Sequence, residues 1–284
     1  MIALTLAEIA DALGGRLVRG DPAATVDGSV ETDSRLVSAG SVFFALPGET
    51  TDGALFAPAA VEAGAILVIA ERDIDVDSAL IVVPDGVSAL AALARQVVAR
   101  VRSLGRMKVV AITGSNGKTT TKNLLRAVLA AEGPTVAPEG SFNNHVGAPI
   151  SMLRIDETTE YLVVEMGASH VGEIARLISI VTPDIGIVLK VGLAHAGEFG
   201  GIEAVQRAKA EMVTELPPDA VALLNGDDPR VDEMSSMTRA RVVRFGVGET
   251  NDVRADDVLA TATGTTFDYL ADGRRHPVAL RILG

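Results

Sequence analysis

The sequence contains no cysteine and no tryptophan, and only 3% of its residues are aromatic. Without cysteine, the chain has neither a disulfide framework nor a thiolate that could act as nucleophile or metal ligand. No apolar run reaches the ~20 residues of a membrane-spanning helix. The N-terminus carries Glu8 and Asp11 where a signal peptide needs basic and apolar regions. These absences predict a cytoplasmic protein without a membrane span.

Basic residues are also in deficit, with 25 Lys and Arg against 37 Asp and Glu and a formal net charge of −12. This balance argues against binding the phosphate backbone of nucleic acids as the main function. A small anionic ligand is still compatible with it, in a locally positive pocket. The 284 residues are 48% hydrophobic, which suffices for about two globular domains.

Residues 107–126 predict a strand, a glycine-bearing turn and a helix in succession. Val109–Ile112 is a short apolar run rich in β-branched residues, as expected of a buried strand. From Lys118 onward the pattern predicts a helix with an apolar face. The residues of that face are Leu124, Leu125, Val128 and Leu129.

This succession predicts a phosphate-binding loop. Glycines let backbone N–H groups approach phosphate oxygens, and the helix N-terminus adds positive potential. Lys118 would reach the β- and γ-phosphates, and the Thr119 hydroxyl would hold Mg²⁺. The loop is a shortened form, because Ile112 stands where the usual pattern has its first glycine; the alternative is a plain strand-to-helix turn with Lys118 in solvent. The predicted nucleotide-binding residues are Thr113, Gly114, Ser115, Asn116, Gly117, Lys118, Thr119 and Thr120.

Strands and helices alternate along most of the chain, which predicts an α/β fold. Residues 1–105 are expected to form a small N-terminal α/β domain. Residues 106–284 are expected to form a P-loop domain with a mostly parallel, doubly wound sheet, ending in short strands from about residue 241. No helix follows the last predicted strand, so we expect the chain to be truncated and its second domain incomplete.

Ligands of such sheets bind beyond the carboxyl ends of the strands, where two further candidates lie. Glu165 directly follows the predicted strand at 161–164 and would bind Mg²⁺ or a water of its shell. The alternative is a carboxylate in a surface turn. His195 follows the predicted strand at 185–191 in a glycine-rich loop, where either a structural role or a metal or phosphate role is open.

Three more groups of polar residues have ordinary alternatives. Asn143 and Asn144 can donate and accept together, as a peptide or sugar ligand requires, but would also suit an asparagine turn. Lys209 lies on a predicted helix and is either functional or an exposed helical lysine. Thr32–Arg35 either binds phosphate through its hydroxyls and Arg35 or forms a polar turn.

Together these motifs resemble the Mur ligases, the ATP-dependent amino-acid ligases of peptidoglycan synthesis, over essentially the whole chain. Thr113–Thr119 is similar to the family's ATP loop, and TDSR at 32–35 and FALPG at 44–48 are similar to its uridine-nucleotide domain. The members that join D-alanyl-D-alanine to a UDP-N-acetylmuramoyl tripeptide are the most similar. The segments that carry this second likeness are 143–144, 165–168, 172–174 and 194–211.

The resemblance implies a reaction in two steps. The tripeptide carboxylate attacks the γ-phosphate of ATP, and the amine of D-alanyl-D-alanine then displaces phosphate from the acyl phosphate. Residues 1–105 would bind the UDP substrate and 106–284 would bind ATP and Mg²⁺, while the family's third domain would be missing. We therefore expect a cytoplasmic monomer, without a nucleic-acid partner, that is inactive as this fragment alone.

The resemblance also implies roles for individual residues. The substrate-binding residues would be Thr32, Ser34, Arg35, Gly48, Asn143 and Asn144. The Mg²⁺ ligands would be Thr119, Glu165 and His195. The catalytic residues would be Lys118, His195 and Lys209. Lys209 matches a lysine that is carbamylated in sibling enzymes, and Lys190 stands where the family usually has asparagine.

Two other functions stay open on the sequence alone. One is a P-loop kinase or nucleotide hydrolase with an unrelated substrate, whose ADP release would not depend on both a UDP-muramoyl peptide and a dipeptide. The other is a non-enzymatic fragment that only binds UDP-sugars. Such a fragment would bind the nucleotide sugar without forming product.

Overall fold

The computed structural model describes residues 1–48, 51–138, 140–192 and 201–281. The chain divides into two compact units that interleave along the sequence. Unit 1 comprises Met1–Val109, Lys122–Glu165 and Ser179–Val181. Unit 2 comprises Val110–Thr121, Met166–Ile178 and Thr182–Gly284. The predicted domain boundary at residue 105 stays a prediction.

The elements follow the predicted alternation of strands and helices. The described helices are α1 (Leu6–Ala12), α2 (Ala57–Glu62), α3 (Gly86–Arg102), α4 (Lys118–Leu129), α5 (Gly147–Met152), α6 (Glu173–Val181), α7 (Ile202–Thr214) and α8 (Pro229–Asp232). The first eight strands are β1 (Leu4–Thr5), β2 (Arg16–Arg19), β3 (Thr25–Val26), β4 (Val30–Glu31), β5 (Val42–Ala45), β6 (Leu67–Ala70), β7 (Ala79–Val82) and β8 (Lys108–Thr113). The others are β9 (Thr135–Val136), β10 (Tyr161–Glu165), β11 (Ile185–Val188), β12 (Val221–Asn225), β13 (Arg241–Gly246), β14 (Val253–Thr261), β15 (Gly264–Ala271) and β16 (Arg274–Leu280).

Unit 1 is built on a five-stranded sheet in the order β2-β7-β6-β5-β4. Strands β4 to β7 are parallel, and β2 joins the edge antiparallel to β7. All four residues of β5 and of β6 are buried, as the strands of a covered parallel sheet must be. Their core cluster is rich in alanine, which explains how a chain with few aromatic residues packs its layers closely.

Unit 2 is built on the strands β8, β11, β12, β13 and β14, which lie side by side in this order and pair in parallel. Beyond β14 the sheet continues as an antiparallel meander through β15 and β16. The turn between these last two strands is Asp272-Gly273, both with positive φ, as a type I′ hairpin requires. The predicted α/β class with a mostly parallel sheet is confirmed, while the predicted short terminal strands are longer than expected.

Helix starts follow their sequence signals. Thr5 and Glu8 form a reciprocal capping box at α1, with the Glu8 N–H donating to Thr5 Oγ1 at 3.1 Å. Asp85 caps α3, and Arg100 and Arg102 lie in its last turn, where basic side chains suit the helix dipole. Among the described residues, no helix is both long and apolar enough to cross a bilayer.

Helix α4 begins at Lys118 as predicted, but its apolar face is only partly covered in the part of the chain that the structure describes. Leu124 is 40% exposed and Val128 is 64% exposed. The buried residue of this helix is Lys122 instead. The reason is geometric: Lys118 must face the loop that precedes it, and residues four apart share a helix face, so Lys122 is turned inward with it.

Candidate nucleotide-binding site

The loop between β8 and α4 takes a shape that only glycine permits at its two ends. Gly114 and Gly117 have φ of 155° and 85°, the left-handed side of the map. A Cβ on Gly114 would also lie 2.9 Å from the Leu189 Cβ, closer than any real contact. The loop is therefore pressed against the chain after β11, and a side chain at position 114 would push the two apart.

Lys118 folds back over this loop from the first position of α4. Its Nζ donates a hydrogen bond to the Gly114 carbonyl oxygen at 2.7 Å. A cation is thereby held above the backbone of the glycine turn, at the positive end of a helix. This arrangement favours an anion of the size of a phosphate group.

The segment Leu189–Gly192, after β11, is the second wall of the loop. The Ser115 N–H donates to the Lys190 carbonyl at 2.8 Å, and the Gly192 N–H donates to Ser115 Oγ at 2.9 Å. The Ser115 hydroxyl donates in turn to the Gly192 carbonyl at 3.2 Å. Lys190 takes part only through its backbone here, so this bond does not depend on lysine replacing the usual asparagine.

Two residues that the sequence analysis missed hold the same wall from its other side. Asn225, the last residue of β12, donates from Nδ2 to the Leu189 carbonyl at 2.7 Å. Asp228 is buried, caps α8 and accepts the Val191 N–H at 3.0 Å. The signal was an Asn-Gly-Asp-Asp run after a predicted strand, whose turn chemistry suggested no more than a loop.

Lys209 is buried on α7, with 3% of its surface exposed. Burial, and next the positive charge of Lys118, lower the pKa of its ammonium to about 8. Two predicted catalytic lysines therefore interact electrostatically in the structure, since the charge of Lys118 acts on the ammonium of Lys209. At pH 7 about a tenth of Lys209 side chains are uncharged, against fewer than about one in a thousand for an ordinary lysine.

Glu211, two residues further along α7, is a second residue that the sequence analysis overlooked. Its carboxylate accepts the N–H groups of Gly172 at 2.5 Å and Ala175 at 3.0 Å, at the start of α6. Gly172, the residue before this helix, has a φ of 98° and no side chain to cap it. Glu211 supplies the missing cap across space and ties the helix of Lys209 to the loop that precedes α6.

Within unit 1, Glu165 ends β10 as a fully buried carboxylate. Asn143 donates from Nδ2 to Glu165 Oε1 at 2.8 Å, so the structure brings these two predicted site residues together. Asn144 behaves as the turn alternative described, since its Oδ1 accepts the Val146 and Gly147 N–H groups at the start of α5. The side-chain oxygen of Asn144 is thus already used by the fold.

The loop that carries these asparagines is anchored by Lys122, which the sequence analysis did not single out. Lys122 is 1% exposed, and its Nζ donates to the Gly140 carbonyl at 2.7 Å. A buried ammonium without acceptors would be costly, so a carbonyl aimed at it is required. The signal in the sequence was the spacing: Lys122 follows Lys118 by four residues, which places both lysines on the same face of α4.

Within the Thr32–Arg35 motif of unit 1, the basic side chain is the exposed one. The Arg35 side chain is 86% exposed. It donates hydrogen bonds to the Asp33 carboxylate from Nε at 2.9 Å and from Nη2 at 2.5 Å. The Arg35 side chain, helped by the Arg35 N–H, holds the pKa of Asp33 down at about 2. A phosphate at this site would have to share Arg35 with Asp33. Thr32 and Ser34 are half-buried beside it.

The remaining predicted site residues have the following positions in the structure. Gly48 donates its N–H to the Thr51 carbonyl at 3.0 Å, and a Cβ there would lie 2.9 Å from that same oxygen. Thr113 is buried and donates to the Met166 carbonyl, while Thr119 is half-buried and Thr120 is exposed. His195 lies outside the described residues. Among the described residues, no group of three or more His, Asp or Glu is placed to hold a metal ion.

A parallel strand that leads through a glycine turn into a helix begun by lysine defines the class, an α/β protein of the P-loop type. Family comparison agrees, since residues 112–284 match the Mur ligase middle domain and residues 28–111 match the family described as "Mur ligase family, catalytic domain". The chain belongs to the Mur ligase family.

Similar proteins include the UDP-N-acetylmuramoyl-tripeptide–D-alanyl-D-alanine ligase of Mycobacterium bovis, 43% identical over 91% of this chain and 55% of the relative. The MurF structure from Acinetobacter baumannii superposes with a TM-score of 0.90 and 33% identity, covering 99% of this chain and 61% of that one. The MurF ligase of Thermotoga maritima in complex with ADP gives a TM-score of 0.78 and 32% identity, covering 89% and 58%. The chain spans little more than half the length of these relatives.

Proposed function

We propose that the whole protein is an ATP-dependent ligase that joins D-alanyl-D-alanine to a UDP-N-acetylmuramoyl tripeptide through an acyl phosphate, in the cytoplasm. The observation that carries the proposal is the loop between β8 and α4. Its glycine backbone, the Lys118 cation and the start of α4 converge where phosphate would bind. The names of the similar ligases point to the substrates, and the ADP complex of one of them supports nucleotide binding.

Lys118 neutralises negative charge while the γ-phosphoryl group is transferred to the tripeptide carboxylate. Phosphoryl transfer needs positioning and electrostatic stabilisation more than covalent help from the protein. The Gly114–Gly117 backbone is already held on the Leu189–Gly192 wall by Ser115, so little reorganisation is needed when ATP binds. Displacement of phosphate by the dipeptide amine then forms the peptide bond.

We propose that Lys209 carries a carbamate. Carbon dioxide reacts with the uncharged amine, and burial beside Lys118 raises the uncharged fraction of Lys209 at neutral pH. The modification replaces a buried positive charge by a negative one and supplies two oxygen atoms. Oxygen ligands are those that hard cations prefer.

The donor set also fits Mg²⁺. Glu165 is a buried carboxylate and Thr119 offers a hydroxyl at the start of α4, and Mg²⁺ usually takes one or two carboxylates with substrate phosphates. Bound Mg²⁺ would neutralise phosphate charge, and His195 is proposed as a further ligand.

Thr32, Ser34, Arg35 and Gly48 are proposed to bind the UDP moiety, and Asn143 and Asn144 to lie near the peptide. For Arg35 the support is its exposure and its fork geometry, which suits phosphate as well as the Asp33 carboxylate. For Asn143 the support is its bond to Glu165. The proposed enzyme is a monomer.

The test is an assay of ADP and product on a chain extended to the length of the similar ligases. ADP release that requires both UDP-N-acetylmuramoyl tripeptide and D-alanyl-D-alanine, with a product seen by mass spectrometry, supports the proposal. ADP release without either substrate would indicate the kinase or hydrolase alternative instead. Binding of UDP-sugar without any ADP release would indicate the non-enzymatic alternative.

A further inference from the structure

The sequence contains two Asn-Gly pairs, Asn116-Gly117 in the phosphate loop and Asn225-Gly226 after β12. This dipeptide undergoes a spontaneous reaction in proteins when its backbone allows it. The glycine nitrogen attacks the side-chain amide carbon of asparagine, ammonia leaves with the proton of the glycine N–H, and a five-membered imide forms. Water then opens the imide to aspartate or to isoaspartate, in which the chain runs through the side chain.

The two pairs differ in whether the reacting groups are held. The Gly226 N–H donates to the Phe245 carbonyl at 3.0 Å, which ties down the nucleophile. The Asn225 amide is tied at both ends, donating from Nδ2 to the Leu189 carbonyl and accepting the Asp227 N–H at Oδ1. Three hydrogen bonds must therefore break before this pair can react.

At the phosphate loop the corresponding groups are exposed. Asn116 and Gly117 both lie on the surface. Within the described part of the chain, neither the Asn116 side chain nor the Gly117 N–H has a hydrogen-bond partner, although the Gly117 carbonyl accepts the Thr121 N–H. Glycine at this position also leaves the nitrogen unshielded by a Cβ.

We infer that Asn116 is a site of spontaneous deamidation, with water as co-reactant, and that this reaction switches off the phosphate loop. Aspartate at position 116 places a negative charge among groups arranged for an anion. Isoaspartate also lengthens the backbone ahead of Lys118 and so displaces its ammonium from the loop. The effect on ATP rests on the proposed function, but the reaction at Asn116 does not.

The same geometry predicts protection by nucleotide. Phosphate oxygens bound in such a loop accept backbone N–H groups, and the Gly117 N–H is the nucleophile of the reaction. ATP bound there would occupy that N–H and shield Asn116 from solvent. A loop kept filled with nucleotide would then age slowly, whereas an empty one would accumulate the acidic form.

The experiment uses the chain as it stands, incubated in mildly alkaline buffer and sampled by peptide mass spectrometry, with isoaspartate detected by enzymatic methylation. Asn225 is the internal control and Asn116→Ser the matched variant. We expect Asn116 to convert about a hundredfold faster than Asn225, since the latter must first break three hydrogen bonds of ordinary net strength. Methylation at this peptide should disappear in Asn116→Ser.

Two results would overturn the inference. One is conversion of Asn225 at a rate comparable to that of Asn116. The other is an intact Asn116 after a time in which a free peptide of sequence GSNGKT has converted fully. A parallel sample with ATP and Mg²⁺ tests the other claim separately, because conversion of Asn116 that ATP fails to slow counts against the phosphate loop and leaves the deamidation standing.

Discussion

Two regions of this chain were proposed to bind phosphate groups, and the structure builds them in opposite ways. The loop at Gly114–Lys118 is held by hydrogen bonds of Ser115 on one side and, through the Leu189–Gly192 wall, of the buried Asp228 on the other. The Thr32–Arg35 motif presents an exposed arginine side chain, already paired with Asp33. The first would be an anion site that the fold makes in advance, whereas the second would have to be completed by its ligand.

The difference shows why position in the fold matters more than residue type. Both regions place a basic side chain beside hydroxyl groups, and both lie after a parallel strand. In the first region Lys118 is half-buried and hydrogen-bonded to the loop backbone, so water screens its charge less than it screens an exposed side chain. In the second region solvent and the neighbouring carboxylate weaken any single attraction.

The largest effect is expected from Lys118→Ala in the full-length protein. Removing the cation proposed to face the phosphates should lower turnover by on the order of 10²–10³ or more. The reason is that its positive charge would stabilise the negative charge that develops on the transferred phosphoryl group. Steady-state ADP release measures this, and Lys108→Ala, an exposed lysine at the start of β8, is the control. Turnover within threefold of wild type, taken as roughly 0.7 kcal/mol of barrier, would refute the assignment.

The second prediction concerns buried Lys209 in the unit of the phosphate loop, and it is tested by the pH dependence of the free energy of unfolding. Its pKa is about 8 in the folded chain against 10.5 in the unfolded chain. Below pH 8 both states are charged, so the folded state bears the full cost of the buried charge. As pH rises from 8 to 10.5 the unfolded state binds more protons, and the free energy of unfolding should rise by about 3 kcal/mol relative to Lys209→Met.

Denaturant unfolding across this pH range, in buffer free of carbon dioxide, measures the difference between wild type and Lys209→Met. Bicarbonate should flatten the difference curve, because a carbamate no longer titrates as an amine. A curve that is flat in both buffers would mean that Lys209 is solvated in the folded chain.

A matched pair of carboxylates tests burial directly. Glu211→Gln should lower the free energy of unfolding by ~1–3 kcal/mol. The buried carboxylate accepts two N–H groups at a helix start, and a neutral amide in its place accepts them more weakly. Asp33→Asn should lower it by less than ~0.5 kcal/mol, as exposed ion pairs contribute little. Equal losses in urea unfolding would contradict the contrast between the two regions.

The smallest effect on a binding or catalytic function is expected for Arg35. Arg35→Ala should weaken binding of the UDP substrate by about tenfold, in the range of one charge-assisted contact, and leave ATP binding unchanged. Calorimetry with each ligand measures both affinities, and Arg106→Ala, a basic residue elsewhere in the chain, is the control. A loss of ATP affinity with unchanged UDP-substrate affinity would contradict the division of roles.

Local signals in the sequence predicted much of this fold. The run from Val109 to Lys118 was enough to predict strand, loop and helix, and Thr5 with Glu8 was enough to predict where α1 begins. These predictions succeed because hydrogen bonds between near neighbours decide them. How far the apolar face of α4 is covered could not be predicted in this way, since its exposure depends on what packs there.

The sequence by itself therefore determined many of the elements, the glycine loop between β8 and α4, and the family, each of which is encoded in residues close along the chain. Only the tertiary structure showed that Asn225 and Asp228 brace the wall beside that loop, that Glu211 caps α6, and that Lys209 is buried near the charge of Lys118. These contacts join residues far apart in sequence, and their polar side chains look ordinary until burial removes water as a partner. Burial and distance are properties of the folded chain, and they decided which polar residues are tied into the site.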